Sequence, residues 1–129
     1  MERYVDFPGL GALPSVFFFK SWSTGYKNDV LRIEDRGSLL FRDVSVSFRR
    51  YPLAVRHLSH LSQTTSEVHS YRHLPESGIS LVENSKYVEW FQEQSRGVYA
   101  PDYIYHVVVV LSDGLFEFLC LELPEVAWF

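Results

Sequence analysis

Two apolar segments joined by Asp113-Gly114 constrain the fold of this chain most strongly. Residues 103–112 and 115–123 are rich in Val, Leu, Phe and Tyr. Asp-Gly is a preferred pair for a type I′ turn, in which both central residues need positive φ. The segments therefore predict a β-hairpin. Both of its faces are largely apolar, which is typical of strands covered on both sides, so we expect the hairpin at the centre of a sheet.

A turn centred on Asp113-Gly114 also predicts the register of this hairpin, with Leu111 facing Phe116. In that register His106 and Glu117 share a face but lie two cross-strand pairs apart, about 13 Å at the strand rise. This separation is too long for a hydrogen bond, so the pair is not predicted to be catalytic.

The pattern of residues 84–95 predicts the main helix. Asn84-Ser85 supplies N-cap chemistry, apolar residues follow from Tyr87 at i, i+1, i+3 and i+4, and Gly97 suits a left-handed end of the helix. Further strands are predicted at residues 16–22, 30–34, 39–49 and 79–82. The order of these elements predicts an α+β fold, an antiparallel sheet of about five to six strands with one main helix packed on it.

The length of 129 residues predicts a single α+β domain over residues 1–129. Two segments lack a clear strand or helix pattern. Residues 1–14, with two prolines and two glycines, predict an irregular lead-in. Residues 50–78, rich in His and Arg, predict a long excursion from the sheet with a short helix near residues 54–61. Loops of that length usually have a function or are disordered.

The cysteine content and the apolar runs indicate a compartment. The single cysteine, Cys120, excludes an intramolecular disulfide and fits a reducing environment. No basic region followed by a long apolar stretch marks a secretory signal, and the apolar runs are too short to span a bilayer. We expect a cytoplasmic protein without membrane association.

Charge is distributed unevenly along the chain. Residues 79–129 carry eight acidic and two basic side chains, whereas the whole chain has a net charge of −4. Two interpretations are open: a solvated acidic surface, or a docking surface for a basic protein partner. Nucleic-acid binding is disfavoured because no basic stripe with interleaved aromatics is present. The residues predicted to bind the partner are Glu89, Glu93, Tyr99, Asp102, Trp128 and Phe129.

The histidines of the excursion suggest an alternative. The spacings His57-x2-His60 and His69-x3-His73 could bring imidazoles together as zinc sites do. Neighbouring arginines and the lack of Cys or Asp in the stretch argue against a metal. A small His-dependent enzyme or metal-binding domain using these four histidines is therefore the alternative, and no cofactor is the main expectation.

Searches for catalytic motifs find no named reaction. The chain has no Gly-x-Ser-x-Gly elbow and no Walker-type phosphate loop, and Cys120 lies in an apolar strand that does not favour a reactive thiol. The leading expectation is therefore a non-enzymatic protein-binding module. A homo-oligomeric structural protein, burying aromatic surface in a symmetric contact, is a further alternative.

A resemblance extends over residues 30–123. Its motifs are Leu-Phe-Arg-Asp-Val, Val-Glu-Asn-Ser-Lys-Tyr-Val-Glu-Trp, Tyr-His-Val-Val-Val and Leu-Cys-Leu-Glu, which lie at residues 40–44, 82–90, 105–109 and 119–122. With these motifs the chain resembles small uncharacterised bacterial domains, some of which are similar to immunity proteins of bacterial toxin systems. The resemblance implies a protein that neutralises a toxin by binding it. The motifs are structural, so they assign no site residues.

Overall fold

A computed structural model describes residues 2–9, 16–25, 28–37, 42–59, 78–99, 102–112 and 114–128. These residues contain nine β-strands and one α-helix. The elements are β1 (Arg3–Asp6), β2 (Phe17–Thr24), β3 (Asp29–Asp35), β4 (Arg42–Phe48), β5 (Ala54–Ser59), β6 (Ile79–Glu83), α1 (Lys86–Gln94), β7 (Tyr105–Leu111), β8 (Gly114–Cys120) and β9 (Glu125–Trp128).

The strands form two antiparallel sheets. The first has the order β1-β6-β7-β8-β5, and the second has the order β2-β3-β4-β9. Antiparallel sheet with one main helix is thus confirmed, and β2, β3, β4 and β6 lie within or close to their predicted segments. The prediction of one sheet with five to six strands is wrong. Because both faces of the β7-β8 hairpin are apolar, it needs two covers, and the second sheet is the cover that the prediction lacks.

The main core lies between the two sheets. Inward-facing residues alternate along β3 and β4 and meet those of β7 and β8 in one buried cluster. The ring centroids of Phe48 and Phe118, which belong to opposite sheets, lie 4.6 Å apart. Burial of each such side chain stabilises the fold by about 1.5–3 kcal/mol. The fully buried aliphatic side chains of this cluster include Leu31, Ile33, Val44, Val46, Val107 and Val109.

Helix α1 covers the opposite face of the first sheet. Tyr87 is buried there with Leu119, and Val88 and Phe91 pack against the same cluster. The predicted caps are confirmed: Ser85 is the N-cap, and Gly97 has a φ of 78° just beyond the helix. Within the described part of the chain, no helix has the length and apolar character needed to cross a membrane.

The N-terminal lead-in corrects one prediction. Residues 1–14 were expected to be irregular, but Arg3–Asp6 forms β1 and pairs with β6, with Tyr4 opposite Val82. A four-residue strand is too short to show a readable alternation. Its pairing depends on the free edge of β6, which local sequence patterns do not reveal. Residues 10–15 lie outside the described residues.

The excursion predicted at residues 50–78 is also corrected in part. Ala54–Ser59 is strand β5 rather than the start of a short helix, and it pairs with β8, so that Arg56 lies opposite Glu117. A buried carboxylate requires a partner, and this pairing brings the guanidinium to it. Residues 60–77 lie outside the described residues, so the rest of the excursion stays a prediction.

Candidate functional site

A cavity of about 240 Å³ lies between helix α1 and the segment that leads into β7. The helix side contributes four residues at positions i, i+3, i+4 and i+7, a spacing that places them on one face of the helix: Ser85, Val88, Glu89 and Gln92. The segment before β7 forms the facing wall. The polar residues that line the cavity include Ser85, Glu89, Gln92, Asp102 and Tyr103.

A sharp turn brings Ser85 to this cavity. Strand β6 ends at Glu83 and α1 begins at Lys86, so only Asn84 and Ser85 connect the two. Asn84 has a positive φ of 55°, a left-handed conformation in which asparagine is enriched. The Oγ of Ser85 accepts a hydrogen bond from the N–H of Val88 at 3.1 Å. The turn therefore fixes this serine at the N-terminus of the helix.

Ser85 is also the first member of a buried polar chain, which consists of Ser85, His106, Glu117 and Arg56. The Oγ of Ser85 lies 2.7 Å from Nδ1 of His106, and Nε2 of His106 lies 2.9 Å from Oε1 of Glu117. Nε of Arg56 donates to the other carboxylate oxygen. Ser85, His106 and Glu117 are 6%, 3% and 2% exposed. Four separate elements thus meet at one hydrogen-bonded chain.

Glu117 is ionised within the buried polar chain. Burial is the largest single influence and raises the pKa of its carboxyl, but the hydrogen bonds from His106 and Arg56 and the charge of Arg56 outweigh it. The pKa is therefore below its ordinary value of 4.5. An ionised carboxylate only accepts hydrogen bonds, so Nε2 of His106 carries a proton and donates it. In the neutral imidazole, Nδ1 is then the acceptor for the hydroxyl of Ser85.

The ring of Tyr87 covers the buried polar chain on the helix side. The guanidinium carbon of Arg56 lies 4.2 Å from the centroid of the Tyr87 ring, and that ring meets His106 edge-on at 5.4 Å between centroids. Burial raises the pKa of the phenols of Tyr87 and Tyr4. The buried polar chain therefore lies in surroundings of low polarity, where its hydrogen bonds are stronger than they would be in water.

The contact between His106 and Glu117 shows that the expected separation of about 13 Å between them is wrong. Strand β7 pairs Leu111 with Gly114 and Val108 with Glu117, a register two residues from the expected one. A shift by two keeps every side chain on its expected face but makes His106 a diagonal neighbour of Glu117. The observed register gives the buried carboxylate His106 as a partner in addition to Arg56, which β5 supplies, and this pairing offsets the turn preference.

Sequence patterns assigned no role to the buried polar chain. One signal pointed to it: Glu117 occupies an apolar strand, and a glutamate is almost never fully buried unless it is paired. The sequence does not identify its partners, because it predicts a short helix near residues 54–61, where Arg56 lies, and the wrong register for His106. Ser85 was identified only as a helix cap.

Three predicted partner-binding residues lie on or beside the cavity. Glu89 and Asp102 line it, and Glu93 is exposed one helical turn beyond Glu89. Trp90 and Tyr103 are 52% and 67% exposed. Tyr103 also lines the cavity, and we call Glu89, Glu93, Asp102 and Tyr103 the acidic face; Trp90 is not among the residues that line the cavity.

The other predicted partner-binding residues lie elsewhere. Tyr99 is half-buried, with its ring 5.5 Å from that of Phe91. Trp128 is part of β9 in the second sheet, opposite Val44, and is partly buried against the main core. Phe129 lies outside the described residues. The structure therefore brings together only the helical glutamates and Asp102 from the predicted set.

The histidine alternative can be followed only at His57. Its ring stacks on Phe116 with 4.2 Å between centroids and on Phe19 at 5.9 Å. His60, His69 and His73 lie outside the described residues. Among the residues that are described, no group of three or more His, Cys, Asp or Glu is arranged to hold a metal ion. The metal site stays a prediction.

Comparison with known proteins identifies no relative: no family model matches the chain, and no curated protein or solved structure is significantly similar to it.

Proposed function

We propose that the protein binds a basic protein partner through the acidic face. The observation that carries the proposal is the cavity of about 240 Å³, whose charged lining residues among those described are Glu89 and Asp102. A lysine or arginine side chain of the partner has the charge that complements this lining.

An exposed aromatic residue at the cavity supports the proposal. Tyr103 lines the cavity and is 67% exposed, and tyrosine is one of the residue types enriched among the side chains that anchor protein interfaces. Oε1 of Gln92 is buried at the cavity and has no hydrogen-bond partner among the described residues. It offers an acceptor to the same basic side chain.

The charge of the chain supports the same partner class. Residues 79–129 carry eight acidic and two basic side chains, so a basic partner experiences a long-range attraction that accelerates association at low salt. The resemblance to immunity proteins extends the proposal to a toxin as the partner. In that role the acidic face covers a basic surface that the toxin needs for its action.

The test is affinity capture with the tagged full chain from its native host at two salt concentrations, followed by mass spectrometry. The captured protein is then purified, and its affinity is measured for the wild type and for the double variant Glu89→Lys/Glu93→Lys. The matched control is Glu122→Lys/Glu125→Lys, which makes the same change of charge at exposed positions outside the acidic face.

We expect one basic partner in a fixed ratio, with binding lost at high salt because exposed charges are screened. The Glu89/Glu93 variant should lose at least tenfold in affinity, and the Glu122/Glu125 variant should bind nearly as the wild type does. Equal loss in both variants, or none in either, would exclude the acidic face as the binding surface.

A further inference from the structure

We propose that Ser85 is a nucleophile for acyl transfer, activated by His106, and that its substrates are small esters carrying a positive charge. The turn before α1, the buried polar chain and the cavity support this role of Ser85, whether or not the acidic face binds a protein.

The backbone around Ser85 has the strand–turn–helix order of a nucleophile elbow, while Ser85 itself is in an extended conformation with φ −69° and ψ 126°. In hydrolases with such an elbow, a serine occupies a sharp, strained turn between a strand and a helix. Here β6 leads through Asn84 and Ser85 directly into α1. The positive φ of 55° falls on Asn84, so the turn forms without the glycines of the Gly-x-Ser-x-Gly pattern. A motif search therefore misses it.

The side chains supply a nucleophile, a base and a group that orients the base. Such a set is recognised by hydrogen bonds from nucleophile to base and from base to a third group. Ser85 is 2.7 Å from His106, and His106 is 2.9 Å from Glu117. The imidazole is turned relative to the serine proteases, since Nδ1 rather than Nε2 faces the serine. Glu117 is a positioning residue that fixes the tautomer in which Nδ1 accepts a proton.

A carboxylate marks a place for negative charge beside Ser85. The backbone N–H of Lys86 donates to Oε2 of Glu2 at 3.1 Å, so an anionic oxygen already occupies the N-terminus of α1. In nucleophile elbows, the N–H of the residue after the serine stabilises the oxyanion of the tetrahedral intermediate. We therefore assign the N–H of Lys86 to the oxyanion, with Glu2 holding that position in the free protein and leaving it when substrate binds.

The reaction balances with water as the only co-reactant. Oγ of Ser85 forms a bond to the acyl carbon while its proton moves to Nδ1 of His106. That proton passes to the alcohol oxygen as the ester C–O bond breaks. Water then attacks the acyl-serine, His106 takes its proton and returns it to Oγ, and a carboxylic acid leaves. Glu117 remains ionised and stabilises the imidazolium in both steps.

The cavity defines the class of substrate. Its volume of about 240 Å³ is below the roughly 300–1,000 Å³ of sites for drug-sized ligands, so a small molecule fits. Glu89 and Asp102 in its walls favour a cation. Lysine 4-nitrophenyl ester has both properties, and norleucine 4-nitrophenyl ester has the same four-carbon side chain without the terminal ammonium group.

The experiment treats the full chain with a fluorophosphonate probe, which forms an Oγ–P bond and releases fluoride, and maps the adduct by tandem mass spectrometry. The variants are Ser85→Ala and Ser85→Asn, the second of which retains an N-cap side chain. The control is Ser95→Ala at the other end of the helix. A known serine hydrolase in a parallel tube shows that the probe is active.

We expect the adduct on Ser85 in the wild type and in Ser95→Ala, and none at this position in either Ser85 variant. His106→Gln should slow labelling by about 10²-fold or more, the range for loss of a general base. Glu2→Gln should accelerate hydrolysis of the lysine ester, because the neutral amide leaves the N–H of Lys86 more readily. The lysine ester should react faster than the norleucine ester.

Three results overturn the proposal: a wild type without an adduct while the control hydrolase is labelled, an adduct at another residue, or ester hydrolysis that Ser85→Asn leaves unchanged. Circular dichroism of every variant separates loss of reactivity from loss of the fold. A folded Ser85→Asn variant that has lost labelling is the decisive positive result.

Discussion

Replacement of Arg56 by methionine tests the energetics of the buried polar chain. The substitution removes the hydrogen bond to Glu117 and leaves a carboxylate that is 2% exposed with His106 as its remaining partner in that chain. A hydrogen bond to a charged group contributes about 1.5–3 kcal/mol. Breaking a fully buried ion pair costs about 3–5 kcal/mol. The side chain of Arg56 is itself partly exposed, so we take the lower range, about 2 kcal/mol, for this contribution.

The cation–π contact of Arg56 with Tyr87 adds a second contribution. At an exposed site such a contact is worth about 0.5–1 kcal/mol, and it does not change between pH 4 and pH 7. We therefore expect Arg56→Met to reduce the free energy of unfolding by about 2–3 kcal/mol at pH 7.

The pH dependence separates the two contributions. In the wild type the pKa of Glu117 lies below its ordinary value, so its stabilisation is present above pH 4.5 and is lost as the pH falls through the folded-state pKa. Removal of Arg56 raises that pKa, because the hydrogen bond and the charge of Arg56 no longer oppose the effect of burial. At a pH between the folded-state pKa of Glu117 in the wild type and that in the variant, Glu117 is protonated only in the variant. The difference in unfolding free energy between the two proteins therefore shrinks as the pH falls from 7 towards 4. Each pH unit between the two pKa values reduces this difference by about 1.4 kcal/mol.

The assay is urea unfolding, followed by fluorescence of the three tryptophans, at several values of pH from 4 to 7. The control is Arg3→Met, which removes an exposed ion pair between Arg3 and Glu83 and should cost at most about 1 kcal/mol. If Arg56→Met costs no more than the control, or costs the same at every pH, the buried carboxylate does not depend on Arg56 and the reasoning fails.

Two further predictions concern the main core. Gly78→Ala should reduce the free energy of unfolding by about 1–3 kcal/mol, because a Cβ at Gly78 would overlap the buried ring of Phe17; an unchanged urea midpoint would contradict the close packing of these residues. Cys120 should react with a thiol reagent only when the protein unfolds, because burial raises the pKa of its thiol to about 12. A rapid reaction of the native protein at neutral pH would show that β8 opens locally.

The elements that were predicted correctly are those that nearby residues specify. Helix α1 is marked by Ser85 and Gly97, which act within one or two turns of themselves. The hairpin of β7 and β8 is marked by two long apolar runs. By contrast, β1, β5 and β9 are short strands at sheet edges, and their pairing is decided by the strand beside them. Residues 125–128 give no alternation of their own and form β9 only by pairing with β4.

The candidate site shows why its prediction was harder. Glu89 and Asp102 were named from charge alone and do line one cavity. The buried polar chain depends on a register, and a shift of two residues changes which side chains touch without changing which face they occupy. Turn chemistry predicted one register, whereas the need of buried Glu117 for partners selects another. Local patterns cannot weigh these two free energies against each other.

Helix α1 carries both proposed activities, and single substitutions separate them. Ser85 lies at its buried start, whereas Glu93 is exposed near its end and is absent from the residues that line the cavity. Glu93→Lys should therefore weaken capture of a basic partner and leave labelling of Ser85 unchanged. Ser85→Asn should do the reverse. If both substitutions impaired both readouts, the helix would act as one unit, and partner binding and serine chemistry would have to be described as a single site.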